Sequence, residues 1–196
     1  MRRVVVSEFV SLDGVVEDPR WTFRFMSEER EDFKFDELSA SGALLLGRVT
    51  YEGFAAAWPS MMERYEGPRR AELQTYTEMM NGYPKYVVST TLQEPLEWNN
   101  STLVEGDAAE EVLRLKQQPG KDILVFGSGR LVNTLLRHDL IDEYRLMVFP
   151  IIVSGSRQRL FEGESGPKVL GLVETKTLGS DVVVLTYQPA AEEAEG

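Results

Sequence analysis

The sequence has no cysteine and only one histidine, His138, among its 196 residues. Disulfide bonds, thiolate metal sites and sites built from several histidines are therefore excluded. A metal centre would need oxygen ligands alone, and no aspartate-rich loop of the calcium-binding kind is present. His138 follows Arg137 at a predicted helix end, where it suits a cation facing the last carbonyl groups; general acid–base catalysis is the alternative.

Basic residues and long apolar runs are also scarce. Lys and Arg number 21 against 32 Asp and Glu, and the net charge of -11 repels nucleic acid and acidic membranes at long range. The amino terminus MRRVVVSEFV carries two basic residues, but Ser7 and Glu8 interrupt its apolar run, so it predicts neither a signal peptide nor a membrane span. We therefore expect a cytoplasmic protein that binds small molecules, and neither nucleic acid nor membranes.

Strand and helix signals alternate along most of the chain. Apolar and β-branched runs predict strands over residues 4–9, 43–46, 85–89, 122–126 and 143–149. Capping residues and apolar spacing predict helices after Ser27, over 68–80 and after Asp107. This alternation predicts an α/β fold with a mostly parallel central sheet flanked by helices, in which the last two of these strands are parallel.

The end of the chain follows a different pattern. Residues 168–178 and 181–188 alternate apolar and polar side chains around Gly179-Ser180, which predicts an antiparallel C-terminal hairpin with a two-residue turn. We expect a single domain over residues 1–188 and an acidic, disordered tail over 189–196. The unpaired edge of the hairpin, with the apolar run 146–153, favours a two-fold homodimer.

Two turns rich in glycine connect strands to helices. In LVFGSGRLVNTLL, residues 124–136, the glycines let an anion approach the unpaired N–H groups of a helix start, and Arg130 adds a positive charge. In ALLLGRVTYEG, residues 43–53, Arg48 stands at the junction and Thr50 is able to cap the helix. Two such junctions can hold a diphosphate from two sides; the alternative for each is a glycine that only permits tight packing.

A third strand end, VVSTTL over 87–92, offers Ser89 and Thr90, whose hydroxyls suit a ribose or phosphate, or else form an ordinary turn. The pattern is not the common dinucleotide fingerprint. Val132 occupies the third glycine position, and Met147 stands where that fingerprint has an acidic residue.

These segments and SLDGVVE, residues 11–17, resemble the dihydrofolate-reductase-like superfamily. They look closest to the reductase domain of the riboflavin-biosynthesis deaminase–reductase and its stand-alone bacterial relatives. The resemblance runs from Val4 to Tyr187 and implies an NADPH-dependent reductase of a small pyrimidine- or pteridine-type heterocycle, similar to the aminouracil reductase of riboflavin biosynthesis. The deaminase half, with its H-x-E and paired cysteines, has no counterpart. A non-catalytic, nucleotide-binding dimeric module on the same fold is the alternative.

The resemblance also implies roles for individual residues. The adenosine phosphates would meet Gly47, Arg48, Val49 and Thr50, with Ser89 and Thr90 on the adenosine side. The pyrophosphate would lie on Gly127, Ser128, Gly129, Arg130 and Leu131. Val16 and Asp13 would lie near the nicotinamide and the substrate, and Asp13 is the catalytic candidate. The proton donor is expected on the helix near residues 29–33, at Glu29 or Asp32, or is an ordered water.

Aromatic residues supply the candidate substrate contacts. Trp21 offers a flat surface that can stack a heterocycle, as do Phe23 and Phe25, but their alternate spacing fits an extended segment facing the core equally well. Phe33 lies on the predicted buried side of the helix after Ser27. Trp21 and Phe33 are the substrate-binding candidates, and the loop from Ser11 to Phe25 is predicted to form one wall of the pocket.

Overall fold

The computed structural model describes residues 1–155, 157–162, 166–179 and 181–190. The strands are β1 Val4–Ser11, β2 Ser41–Gly47, β3 Lys85–Val88, β4 Ser101–Val104, β5 Asp122–Phe126, β6 Glu143–Phe149, β7 Leu170–Leu178 and β8 Val182–Pro189. The helices are α1 Glu28–Ala40, α2 Arg48–Ala57, α3 Met61–Arg64, α4 Arg70–Gly82, α5 Ala108–Gln117 and α6 Gly129–Arg137, with a 3₁₀ helix over Pro19–Phe25.

All eight strands form one sheet in the order β4-β3-β2-β5-β1-β6-β8-β7. The strands from β4 to β6 in that order are parallel, and β8 and β7 continue the sheet antiparallel. The predicted α/β fold with a C-terminal hairpin is thus confirmed. The strands β5 and β6 are parallel as predicted, with β1 between them.

Alternate residues of β1 supply two cores. Val4 and Val6 pack with α5 and α6 on one face, while Val5 packs with α1, α2 and α4 on the other. Burial on both faces explains why β1, β2 and β5 read as apolar runs rather than alternating ones. Burial of each large apolar side chain contributes about 1.5–3 kcal/mol to the stability of the fold. The central strands are therefore stable, and the positions of their ends are well fixed.

Several local details differ from the prediction. The helix predicted over 68–80 runs from Arg70 to Gly82, because Arg69 takes a left-handed conformation just before it. Gly47 is the residue that precedes α2, so Thr50 lies inside that helix and does not cap it. Trp21, Phe23 and Phe25 do not form an extended segment, since the chain turns into a 3₁₀ helix at Pro19.

The hairpin connection is one residue longer than predicted, since Leu178 pairs with Val182. Ser180 of that turn lies outside the described residues, as does most of the predicted acidic tail, residues 191–196. The short strand β4 had no clear sequence signal. Within the described parts of the chain, no helix has the length and hydropathy needed to cross a bilayer.

Candidate functional site

The carboxyl ends of the parallel strands meet along one edge of the sheet, which we call the carboxyl edge. It is formed by the residues that follow β1, β2, β3, β5 and β6. Ligands of open α/β sheets bind at this edge. Every residue predicted to contact the cofactor ends or follows one of these strands: Val16, Gly47, Arg48, Val49, Thr50, Ser89, Thr90, Gly127, Ser128, Gly129, Arg130 and Leu131.

The two strand-to-helix junctions contact each other directly. The Gly47 N–H donates a hydrogen bond of 2.8 Å to Ser128 Oγ, which in turn donates to the carbonyl of Phe126. Gly127 has a φ of +54°, and a Cβ there would lie 2.9 Å from Thr50 Oγ1. Glycine is required at 127 by both its conformation and this close approach. The sequence stretches that were predicted separately thus form one structural unit.

Both helices at these junctions begin without a side-chain cap from the described residues. The hydroxyl of Ser128, the residue before α6, is engaged by Gly47 instead. By contrast, Ser27 caps α1 and Asp107 caps α5, as predicted. The first-turn N–H groups of α2 and α6 therefore face outward from two adjoining helix starts, an arrangement that favours an anion. This geometry fits a diphosphate.

Positive side chains lie beside both helix starts. Arg130 lines an open cleft of about 330 Å³ together with Glu17, Arg157, Gln158 and Glu162. The two carboxylates of that cleft accept backbone N–H groups, Glu17 from Gln158 at 3.0 Å and Glu162 from Arg159 at 2.6 Å. Arg48 is half-exposed and pairs with Glu52 at 3.0 Å, an exposed pair of little strength that a phosphate can replace.

Asp13 connects the loop after β1 to the segment after β6. Its Oδ1 accepts from Ser11 Oγ at 2.7 Å and from the Val153 N–H, and its Oδ2 accepts from the Ser154 N–H at 2.9 Å. These hydrogen bonds lower the pKa of Asp13 to about 2. Asp13 is therefore ionised at neutral pH and does not hold a proton to donate. Its catalytic role stays a prediction.

The same loop reaches the α6 turn. The Val16 N–H donates to the carbonyl of Gln158, and a Cβ on Gly129 would lie 3.4 Å from Val16 Cγ2 and 3.1 Å from Gln158 Nε2. Val16, predicted near the nicotinamide, and Gly129, predicted on the pyrophosphate, are thus neighbours. Gln158 completes this contact and was not found from the sequence.

Ser89 and Thr90 form a turn after β3. Ser89 Oγ accepts the N–H groups of Thr91 and Leu92, both at 3.1 Å, so its hydroxyl serves the turn that was the alternative interpretation. Thr90 is exposed, as is Val49 on the first turn of α2. Their contacts with a nucleotide stay predictions.

The candidate substrate contacts pack in an aromatic cluster around Phe149. Trp21 meets the Phe149 ring edge-on with centroids 5.5 Å apart, and Phe33 is half-buried in the same cluster. Arg30 secures the 3₁₀ helix by donating to the carbonyls of Thr22 and Phe25. The part of the predicted pocket wall that contains Trp21 and Phe25 is therefore packed against Phe149.

Neither carboxylate proposed as proton donor faces the sheet. Glu29 and Asp32 are both exposed, and Asp32 pairs with Arg69. The helix α1 instead turns Lys34 and Glu37 toward β1, opposite Ser7. Lys34 and Glu37 were not predicted as site residues, because the acidic segment SEEREDFKFDE has the composition of a solvated helix face. The signals available were the i,i+3 spacing of Lys34 and Glu37 and the acid that interrupts the β1 apolar run.

No group of three or more His, Asp or Glu side chains suited to a metal ion occurs in the part of the chain that the structure describes.

Comparison with known proteins agrees with this architecture. The family model of the RibD C-terminal domain matches residues 2–184. The chain therefore belongs to the RibD C-terminal domain family, and the predicted resemblance is confirmed. Among its relatives is the uncharacterized protein YyaP of Bacillus subtilis (strain 168), 28% identical over 186 residues that make up 95% of this chain and 94% of YyaP.

Solved structures share the fold. A protein from Shewanella sp. PV-4 assigned to riboflavin biosynthesis superimposes with a TM-score of 0.72 at 22% identity, covering 96% of this chain and 99% of that one. The Saccharomyces cerevisiae riboflavin biosynthesis reductase Rib7 gives 0.59 at 17%, covering 96% and 90%. The Enterococcus faecalis dihydrofolate reductase complexed with NADP(H) gives 0.58 at 14%, covering 96% and 97%. Together with the family match, these neighbours support a protein of the reductase type.

Proposed function

We propose that this protein is an NADPH-dependent reductase of a small pyrimidine- or pteridine-type heterocycle. The observation that carries the proposal is the hydrogen bond from Gly47 to Ser128, which joins two helix starts that no described side chain caps into one anion site. Membership of the RibD C-terminal domain family supports the reductase class, and the NADP(H) complex of a protein with the same fold supports the cofactor.

In this proposal the carboxyl edge divides into a phosphate region and a reaction region. The N–H groups of α2 and α6, with Arg48 and Arg130, hold the phosphates, and Ser89 and Thr90 adjoin the adenosine. When bound, the dihydronicotinamide supplies the hydride. Val16 positions that end of the cofactor, and the loop held by Asp13 excludes water from it. Trp21 and Phe33 support the wall against which the heterocycle lies.

The proposal includes a two-fold homodimer. The strand β7 is one of the two edge strands of the sheet, and nearly all its residues are exposed, including Leu172 and Val173 on its two sides. An uncovered strand edge of nine residues pairs readily with another chain, and a second copy is the commonest partner. We expect light scattering to give twice the 22.2 kDa of one chain at micromolar concentration. A mass of one chain would contradict the dimer.

Calorimetric titration with NADPH tests the phosphate site through Gly127→Ala. The added methyl group would lie 2.9 Å from Thr50 Oγ1 and distort the junction, so we expect at least a tenfold loss of affinity, about 1.4 kcal/mol. Gly120→Ala is the matched control, because Gly120 also has a positive φ, +141°, but precedes β5 at the opposite edge. The NADPH affinity of Gly120→Ala should stay within twofold of the wild-type value.

Equal NADPH binding by both variants would contradict the phosphate site and leave Gly127 as a packing residue. NADPH binding without consumption across a panel of pyrimidinediones and pterins would favour the non-catalytic nucleotide-binding module.

A further inference from the structure

Lys34 places an ammonium group inside the protein, against the middle of β1. Its Nζ lies 3.1 Å from Glu37 Oε2 and 3.2 Å from Ser7 Oγ, and 3.9 Å from the centre of the Phe126 ring. Only 16% of the side chain is exposed. Burial lowers the pKa of this lysine, and the carboxylates of Glu37 and Glu8 oppose the shift.

This ammonium is close to the proposed cofactor site. Phe126, whose ring it contacts, is the last residue of β5 and pairs with Ser7 on the neighbouring strand β1. The next residue is Gly127, and the Phe126 carbonyl accepts from Ser128 at the α6 junction. Lys34 thus contacts the residue that precedes the turn we assign to the pyrophosphate. Its Nζ also lies 5.1 Å from the centre of the Phe9 ring, and Phe9 packs on Phe149 in the aromatic cluster of the substrate wall.

Buried carboxyl groups with an unsatisfied oxygen occur on α1 beside Lys34 and on β1. Glu37 on α1 is 2% exposed, and its Oε1 has no hydrogen-bond partner among the described residues. Glu8 is 3% exposed on the other face of β1, and its Oε1 likewise has no partner in the described parts of the chain. Arg30 on α1 adds a second positive charge, and Tyr76 on α4 faces Glu37. Burial raises the pKa of Glu8. Because a buried carboxyl oxygen without a hydrogen-bond partner destabilises a fold, these two oxygens favour a chemical role for this part of the molecule over a packing role.

The other candidate proton donors near the carboxyl edge are ionised, exposed or already hydrogen-bonded. Asp13 is ionised and binds two loops, and Asp32 lies on the exposed side of α1. The Tyr51 hydroxyl accepts the Trp98 N–H in the core. Lys34 therefore combines a transferable proton with a position on the inner side of α1, the helix on which the proton donor was expected.

We propose that Lys34 is the catalytic proton donor of the reductase, with Glu37 and Ser7 as positioning residues. This inference rests on the proposed function. For each C=N bond reduced, the carbon gains the hydride, the π electron pair moves to nitrogen, and the nitrogen takes a proton from the Lys34 ammonium. The nucleotide leaves oxidised by two electrons as NADP⁺, and the neutral Lys34 amine recovers a proton from water.

The decisive test compares the pKa of Lys34 in the NADPH and NADP⁺ complexes of the wild-type protein. Lysine labelled with ¹³C at Cε reports its own protonation by NMR, and Lys34→Arg assigns the resonance. The oxidised ring carries one more positive charge than the reduced ring, so the pKa of a lysine beside it must be lower in the NADP⁺ complex. Lys85, a buried lysine at the opposite edge, is the control and should titrate identically in both complexes.

Equal pKa values for Lys34 in the two complexes, with binding of both nucleotides demonstrated, would overturn the assignment and leave the proposed function intact. Failure of either nucleotide to bind would overturn the proposed function, and this inference with it.

Kinetics supply an independent readout. Lys34→Arg keeps the charge but holds its proton far too tightly to donate it. We expect it to bind NADPH within twofold of wild type and to lose at least 100-fold in turnover, together with the basic limb of the pH profile. An unchanged profile with full turnover would contradict a proton donor at Lys34.

Discussion

The charged and polar groups at the two edges of the parallel sheet differ in whether they are paired within the protein. At the amino edge, where strands begin, charged groups are paired within the protein. Lys85 donates to the carbonyls of Asn81, Tyr83 and Asn99 at 2.8–3.0 Å. Glu143 is held by Arg3, Arg145 and Gln188.

At the carboxyl edge, two helix starts lack side-chain caps from the described residues, and arginines stand beside them. Both edges are built on the same buried strands, so stability does not explain the difference. An edge that satisfies its own polar groups strengthens the fold, whereas one that leaves them facing outward is suited to a ligand. The comparison predicts that substitutions at one edge change stability and those at the other change binding or turnover.

Asp13→Asn should give the largest effect at the carboxyl edge. The amide can no longer accept the Ser154 N–H at Oδ2, so the loop that closes the reaction region loosens. We expect nearly unchanged NADPH affinity and abolished turnover of any heterocycle that the wild type reduces, measured by calorimetry and NADPH absorbance. Lost NADPH affinity would instead place Asp13 on the cofactor ribose, and no change in either would make it a turn residue only.

Lys85→Met should give the largest stability effect at the amino edge. Three partly buried carbonyl groups lose their donor, which costs about 3 kcal/mol in the free energy of unfolding measured with urea. Lys121→Met is the control, because this exposed lysine donates to a single carbonyl among the described residues, that of Ser39, and we expect a loss within about 0.5 kcal/mol. A Lys85→Met variant that weakened NADPH binding more than twofold would break the comparison between the edges.

Some features of the two edges could be predicted from the sequence alone, and others could not. The strands β1, β2 and β5 were predictable, because strands buried on both faces have apolar runs. The caps of α1 and α5 were predictable too, because a single side chain, Ser27 or Asp107, forms each cap. Lys34 and Glu8 were not, since a charged residue in a helix or strand reveals its burial only through what packs on it. Gln158 reaches Gly129 from a distant segment, so no local pattern marks it.

Arg48→Met should have a moderate effect limited to the phosphorylated nucleotide. If Arg48 exchanges Glu52 for the 2′-phosphate, its loss weakens NADPH about tenfold and leaves NADH unchanged in thermal-shift titrations. Arg114→Met, which breaks a similar exposed pair with Glu111 on α5, should change neither. Equal losses for NADPH and NADH would remove Arg48 from the phosphate role.

The smallest expected effect is a dependence of stability on pH from the amino edge. Burial lowers the pKa of Lys85 to about 8. Between about 8 and the unfolded value near 10.4, the unfolded chain holds more protons on this residue than the folded one, so its contribution to stability rises with pH. Urea unfolding at pH 8 and 9.5 should show this gain in the wild type and not in Lys85→Met. An equal gain in both would assign it elsewhere.

The central claim, that the joined junctions at the carboxyl edge bind NADPH, is tested most directly by the ¹H–¹⁵N NMR spectrum of the wild-type protein during titration with NADPH. We predict that the amides of residues 47–50 and 127–131 shift most, while those of Lys85, Gly120 and Glu143 at the amino edge stay in place. Saturating NADPH that left residues 47–50 and 127–131 unshifted would contradict the claim.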